Sequence, residues 1–337
     1  MAQIVLGIGS SHGPQLALPP NEWWRRREWD MRFPELWYRG RVVRFDELVE
    51  ERSDEHLERE CTQETFDARF EACQRAIATL AETLARTAPD VAVIVGDDQK
   101  ECFQEDNMPS ISVYWGDTVD TVPLRPDNHG SGEFSLAPPE LSRYPQVRTT
   151  NPCEPKLGQH IIQSLIDSGF DPAHSRELPA GRNGEHSIGH AFSYVYRRLM
   201  KDDVIPNVPV FPNTYYPPNQ PTLKRSHELG RALRRAIESW DNDKRVAVIA
   251  SGGLTHFVIE EDQDRRFLAA LEAKDEKAVT QEPLETYNSG NSEMRNWVVV
   301  AGAMADSDMR MKTIDYVPCY RSEAGTGCAM AFAEWQA

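Results

Sequence analysis

Several things are scarce in this chain, and each scarcity excludes a class of protein. The six cysteines, Cys61, Cys73, Cys102, Cys153, Cys319 and Cys328, include no CxxC pair and no disulfide-rich spacing, which argues against a disulfide scaffold and predicts reduced thiols. No apolar run is long enough to span a bilayer, so no membrane segment is expected. The N-terminus lacks the basic, apolar and small-residue succession of a secretory leader, which predicts a cytoplasmic protein. Positive charge is in deficit. The net charge of −16 would repel a phosphate backbone over most of the surface and argues against nucleic-acid binding. The one basic cluster, Arg25 to Arg27 beside Trp23 and Trp24, is followed by Glu28 and Asp30 and reads as a solvated or interface helix. No local motif as specific as HExxH is present.

What is present is one pattern written three times. Ile4 to Ile8 is an apolar run that stops at Gly9-Ser10-Ser11 and then presents His12. Val91 to Val95 stops at Gly96-Asp97-Asp98-Gln99, and Val246 to Ala250 stops at Ser251-Gly252-Gly253-Leu254-Thr255-His256. Buried strands that end in small residues deliver their next polar side chains to the mouth of a sheet, where α/β proteins keep their chemistry. Three strand ends are therefore predicted to converge on one pocket, with His12 as the first candidate ligand.

Helical spacing covers Phe66 to Thr87, Leu157 to Ile166, Ala191 to Met200, Lys224 to Trp240 and Asp264 to Ala273. The fold class that follows is α/β, one domain over residues 1–337 with a central mixed sheet flanked by helices. Residues from about 19 to 72, rich in Trp, Arg and Glu, read as an N-terminal helical insertion or lid. Residues 117–155, dense in Pro, Gly, Ser and Asp, read as a long excursion over the sheet. His129 in this stretch is a turn residue within reach of a substrate.

A mononuclear metal site needs one or two neutral imidazoles and a carboxylate on one face of the ion. His12, His190 and His256 stand beside small residues, and acidic groups gather at Asp97, Asp98, Glu101, Glu260, Glu261 and Asp262. Together with Tyr216-Pro217-Pro218, Gly189-His190-Ala191-Phe192 and Asp264-Arg265-Arg266-Phe267-Leu268, the order of these segments resembles the class III extradiol ring-cleaving dioxygenases. The chain looks like the protocatechuate 4,5-dioxygenase catalytic-subunit superfamily. Its tail, Asp315 to Ser322 and Ala324 to Gly327, is similar to the 3-O-methylgallate dioxygenase branch.

That resemblance implies Fe(II), or another divalent ion, held by His12, by the residue at position 99 and by the residue at position 262. Here these last two are Gln99 and Asp262, where the family has histidine and glutamate. A glutamine carbonyl is a weaker donor than imidazole and aspartate is one methylene shorter than glutamate, so Asp98, Glu101, Glu261 and His56 enter as substitutes. The resemblance makes His190 the acid/base group, with His186 as its runner-up, and places His256 beside the metal as a hydrogen-bonding group. It makes Asn213 and Tyr216 pocket-lining residues and puts Ser322 near the carboxylate of an aromatic acid. Arg321 is read either as an anion clamp or as a structural ion-pair partner. The implied partners are a catecholic aromatic acid, O₂ and a second copy of the chain, with Trp23, Trp24 and Trp37 as interface anchors. Gln99 and Asp262 also motivate a second expectation, a homologue that binds an aromatic acid without ring cleavage or catalyses another reaction.

Overall fold

The computed structural model describes residues 1–124, 138–182 and 184–337; His129 lies outside the described residues. Among the described residues the centre is a nine-stranded mixed sheet. Its middle is four parallel strands in the order Gln3–Ser10, Arg245–Ser251, Val91–Gly96 and Asn207–Pro212. Ile111–Tyr114 and Ala173–Ser175 extend one side. On the other side Thr326–Gln336 runs antiparallel to the first strand and pairs in turn with His256–Val258 and Arg310–Tyr320.

The interiors of the parallel strands are near-continuous apolar runs because both of their faces are covered. Val91, Val93, Val95, Val246, Val248 and Ala250 pack with the helices Leu223–Ser239 and Met294–Ala305. Ala92, Ile94, Ala247 and Ile249 point the other way, into a second core shared with the helix Gln63–Thr87. The result is the single α/β domain with a helix-flanked mixed sheet that the apolar runs predict.

The N-terminal insertion is less helical than expected. It holds the short helices Trp23–Asp30 and Phe45–Glu51, but between them Leu36–Tyr38 and Arg41–Val43 form a hairpin. Arg39 and Gly40 both take positive φ, 50° and 76°, the backbone of a tight turn whose twist matches paired strands. Residues 63–72 belong to the long helix Gln63–Thr87. Trp23 is fully buried against Phe66, which removes it as an interface anchor, whereas Trp24 is exposed. The excursion after Asp117 contains a small hairpin, Thr118–Thr121 with Thr149–Pro152. All six cysteines are unpaired. No described helix is long and apolar enough to cross a membrane.

Candidate functional site

Register brings the three strand ends level. Ser10 pairs with Ser251 and Ser251 with Gly96, so the residues that follow leave the sheet side by side. His12, Asp97 and Glu293 converge there, all buried, with one potential ligand atom of each within 4.8 Å of the others. Glu293 ends the turn Ser289–Glu293 and leads into the helix Met294–Ala305. That helix is bolted to the strand ends: Asn296 Nδ2 donates to the Ser251 carbonyl (2.9 Å) and to Asp97 Oδ1 (3.1 Å), and the Trp297 indole donates to the Gly252 carbonyl (2.8 Å).

The hydrogen-bond network fixes the His12 tautomer. The Ser251 hydroxyl donates to the Ala191 carbonyl (2.6 Å), so its oxygen accepts from His12 Nδ1 at 2.9 Å. Nε2 is then a bare lone pair. It is buried, has no hydrogen-bond partner, and faces Glu293 Oε2 at 3.4 Å. Burial pushes the imidazole well below its ordinary pKa, which keeps it neutral. An unpartnered acceptor against a carboxylate is unfavourable unless a cation or proton lies between them.

Glu293 is the anionic centre of the group. Burial works against its charge, but His256, His12 and the Gly253 N–H, which donates to Oε2 at 2.6 Å, hold it well below the usual carboxylate range. His256 approaches Oε1 at 3.4 Å through Nε2 while Nδ1 donates to the Leu254 carbonyl (2.8 Å). Burial disfavours the His256 cation, yet the Glu293 charge outweighs it and raises the pKa. Asp97 goes the opposite way, pushed well above its ordinary value by burial and by the Glu293 charge. Without a cation the two carboxylates repel each other, and burial makes the second negative charge costly. These donors fit a divalent ion: one imidazole nitrogen free to coordinate and two carboxylates whose repulsion the ion would relieve.

The sequence-derived ligands separate here. Gln99 is at the cluster, but its amide donates to Glu293 Oε1 (2.8 Å) and Asp97 Oδ2 (3.3 Å). Between two carboxylate oxygens the NH₂ end is the one that must face them, so Gln99 shows the cluster its donor side rather than its carbonyl. Asp262 lies elsewhere. After His256 the chain runs along the edge strand His256–Val258, and Asp262 ends up exposed in the first turn of the helix Glu261–Glu272, beside Glu261 in a 470 Å³ cleft with Tyr38, Arg52 and Tyr320. Glu293 supplies a carboxylate at the cluster instead. Asp98 caps its own turn, accepting from the Cys102 and Phe103 N–H groups, and His56 is exposed. The sequence reading missed Glu293. Its available signal was the polar run Asn288 to Glu293 with Asn296 at the head of an apolar helix, where buried polar groups need partners.

His190 lies against His12, ring centroids 4.7 Å apart and nearly perpendicular. Its Nδ1 is 2.7 Å from Glu101 Oε2. His186 is turned away, with Nδ1 on the Leu178 carbonyl. Asn213 is spent on its own loop: its amide donates to the Tyr216 carbonyl (2.6 Å) and its Oδ1 accepts from the Tyr216 N–H (2.9 Å). Tyr216 holds the Lys100 ammonium 4.5 Å from its ring centre. The Ser322 hydroxyl is fully buried and bonded to Thr326 Oγ1 at 2.7 Å. Arg321 forms a two-pronged pair with Asp30, both fully buried, the structural alternative of the two expected for it.

A gallate dioxygenase of Pseudomonas putida is 30% identical over 176 residues, 48% of this chain and 49% of its own length. A 2,3-dihydroxyphenylpropionate/2,3-dihydroxicinnamic acid 1,2-dioxygenase of Mycolicibacterium smegmatis is 27% identical over 143 residues, covering 40% of this chain and 42% of that one. The chain thus spans about half the length, or less, of the curated relatives it matches. The solved structure of an uncharacterized protein from Escherichia coli K12 aligns over 98% of this chain and 99% of its own, with a TM-score of 0.48 and 13% identity. Residues 56–326 match the catalytic LigB subunit of aromatic ring-opening dioxygenases, and the chain belongs to that family.

Proposed function

We propose that this protein is a metal-dependent extradiol dioxygenase that opens a catecholic aromatic acid of the gallate, protocatechuate or 3-O-methylgallate type. The observation that carries the reading is the unpartnered His12 Nε2 facing Asp97 and Glu293, with His190 alongside. A bound divalent ion, Fe(II) by family likeness, supplies Lewis acidity and a redox route between ring and O₂. The residues do the rest. His12, Asp97 and Glu293 would hold the ion. Gln99, His256 and the Gly253 N–H keep the Glu293 carboxylate in place. His190 takes a proton from the substrate hydroxyl and returns it during ring opening. Tyr216 and Lys100 form a wall able to meet the substrate's carboxylate. A cytoplasmic homodimer is the proposed working form.

A second reading rests on Gln99. Its amide shows the cluster hydrogen-bond donors where the family pattern has a metal-binding imidazole, which favours a homologue that binds metal and aromatic acid without cleaving the ring.

Metal analysis of protein purified without oxygen, followed by oxygen uptake on a panel of catecholic acids, separates the two. Stoichiometric metal with uptake supports the dioxygenase, and His12→Ala should abolish both with little effect on folding. Stoichiometric metal without uptake on any catechol favours the second reading. Full turnover and metal content in His12→Ala would move the site elsewhere.

A further inference from the structure

We propose that Glu101 is a positioning residue that locks His190 into the tautomer with the proton on Nδ1, leaving Nε2 as the nitrogen that exchanges protons with substrate. This deepens the dioxygenase reading and rests on it for the role of His190.

The geometry around Glu101 is saturated. Oε2 lies 2.7 Å from His190 Nδ1, the His190 backbone N–H donates to both carboxylate oxygens at 3.1 and 3.2 Å, and the Tyr144 hydroxyl donates to Oε1 at 2.7 Å. A carboxylate that receives this many donors can only accept, so the ring nitrogen facing it must carry hydrogen. Glu101 is directed to His190 and stays out of the His12, Asp97 and Glu293 group.

A second, independent feature makes room for the pair. Gly189 has an ordinary extended backbone, φ −75° and ψ 177°, so nothing conformational demands glycine there. Space does. A Cβ at this position would lie 2.3 Å from Glu101 Oε2 and 3.0 Å from its Cδ. The carboxylate sits where a side chain on residue 189 would stand, and only glycine lets it reach the ring. The arrangement is the carboxylate-imidazole orientation known from hydrolytic triads, in which the acid chooses which nitrogen keeps the proton.

Two variants and one spectroscopic readout test this. Glu101→Gln keeps an oxygen for the backbone N–H and for Nδ1 but removes the charge, so a merely structural cap would survive it. Gly189→Ala keeps the glutamate and displaces it. The ¹⁵N signals of His190, assigned by their loss in His190→Ala, report which nitrogen is protonated in metal-free protein at mildly alkaline pH. The expected result is Nδ1-H in the native chain and a growing Nε2-H population in both variants. With it, kcat should fall roughly tenfold to a hundredfold while KM for the aromatic acid stays nearly constant. A native His190 protonated on Nε2, or an unchanged tautomer in both variants, overturns the proposal. So does undiminished kcat in both. If the native chain turns over no catechol yet the tautomer responds to both variants, the positioning role stands and the dioxygenase reading falls.

Discussion

Two buried polar clusters lie close to the first strand, and they differ in one respect. Among Arg321, Asp30, Gln15 and Thr326 every side-chain nitrogen and oxygen has a hydrogen-bond partner. The guanidinium spans both oxygens of Asp30 (2.7 and 2.8 Å) and donates to Gln15 Oε1 (3.1 Å), while Thr326 Oγ1 donates to Asp30 and the Gln15 amide donates to the Cys319 carbonyl. Around His12 the ledger stays open. His12 Nε2 and Asn296 Oδ1 are buried without partners, and two carboxylates share the same space. A closed network holds a fold together, whereas an open one stores unfavourable contacts that only a ligand relieves. The difference separates a structural arginine from a candidate binding site with no appeal to likeness.

Breaking the closed cluster should have the largest effect. Asp30→Ala strands a fully buried guanidinium and should lower stability by about 3–5 kcal/mol in denaturant unfolding. A loss below about 1 kcal/mol would mean that water reaches Arg321 and that the cluster is not closed. Adding a ligand to the open cluster should act more mildly. Gln99→His offers an imidazole to the ion and should tighten divalent-metal binding about tenfold by calorimetric titration. Unaltered affinity would show that position 99 takes no part in coordination. Smallest is the relief of repulsion. Asp97→Asn keeps an oxygen for Asn296 but deletes one carboxylate, so the metal-free protein should gain about 1 kcal/mol while its metal affinity falls. A loss of stability instead would mean that the site carries no stored repulsion.

The legible part of the site was the part built by strands. Apolar runs ending in serine and glycine marked the strand ends Ser10–His12, Gly96–Gln99 and Ser251–His256 as converging, because parallel register turns equal strand ends into equal heights. Glu293 was not legible in this way. It arrives on a turn whose position depends on how the helix Met294–Ala305 packs across the strand ends, a tertiary fact with no local period. Asp262 was misplaced for the complementary reason: the strand His256–Val258 and the start of the helix Glu261–Glu272 carry it away from the cluster, and counting residues cannot show that. The hairpin at Leu36–Val43 escaped notice because its strands are three residues long, though Arg39-Gly40 was a usable turn signal.

The placement of Thr326–Gln336 has a consequence for how the chain matures. This strand pairs with Arg310–Tyr320 along one edge and with Gln3–Ser10 and His256–Val258 along the other, and the Ser11 N–H donates to the Ala331 carbonyl just before His12. During synthesis the first strand therefore emerges hundreds of residues before its neighbour on that side exists. Until then one flank of the segment that aims His12 presents unsatisfied amides and carbonyls, a template for pairing with another nascent chain. Intermediates of this protein in which Thr326–Gln336 has not yet paired with Gln3–Ser10 should need a holdase.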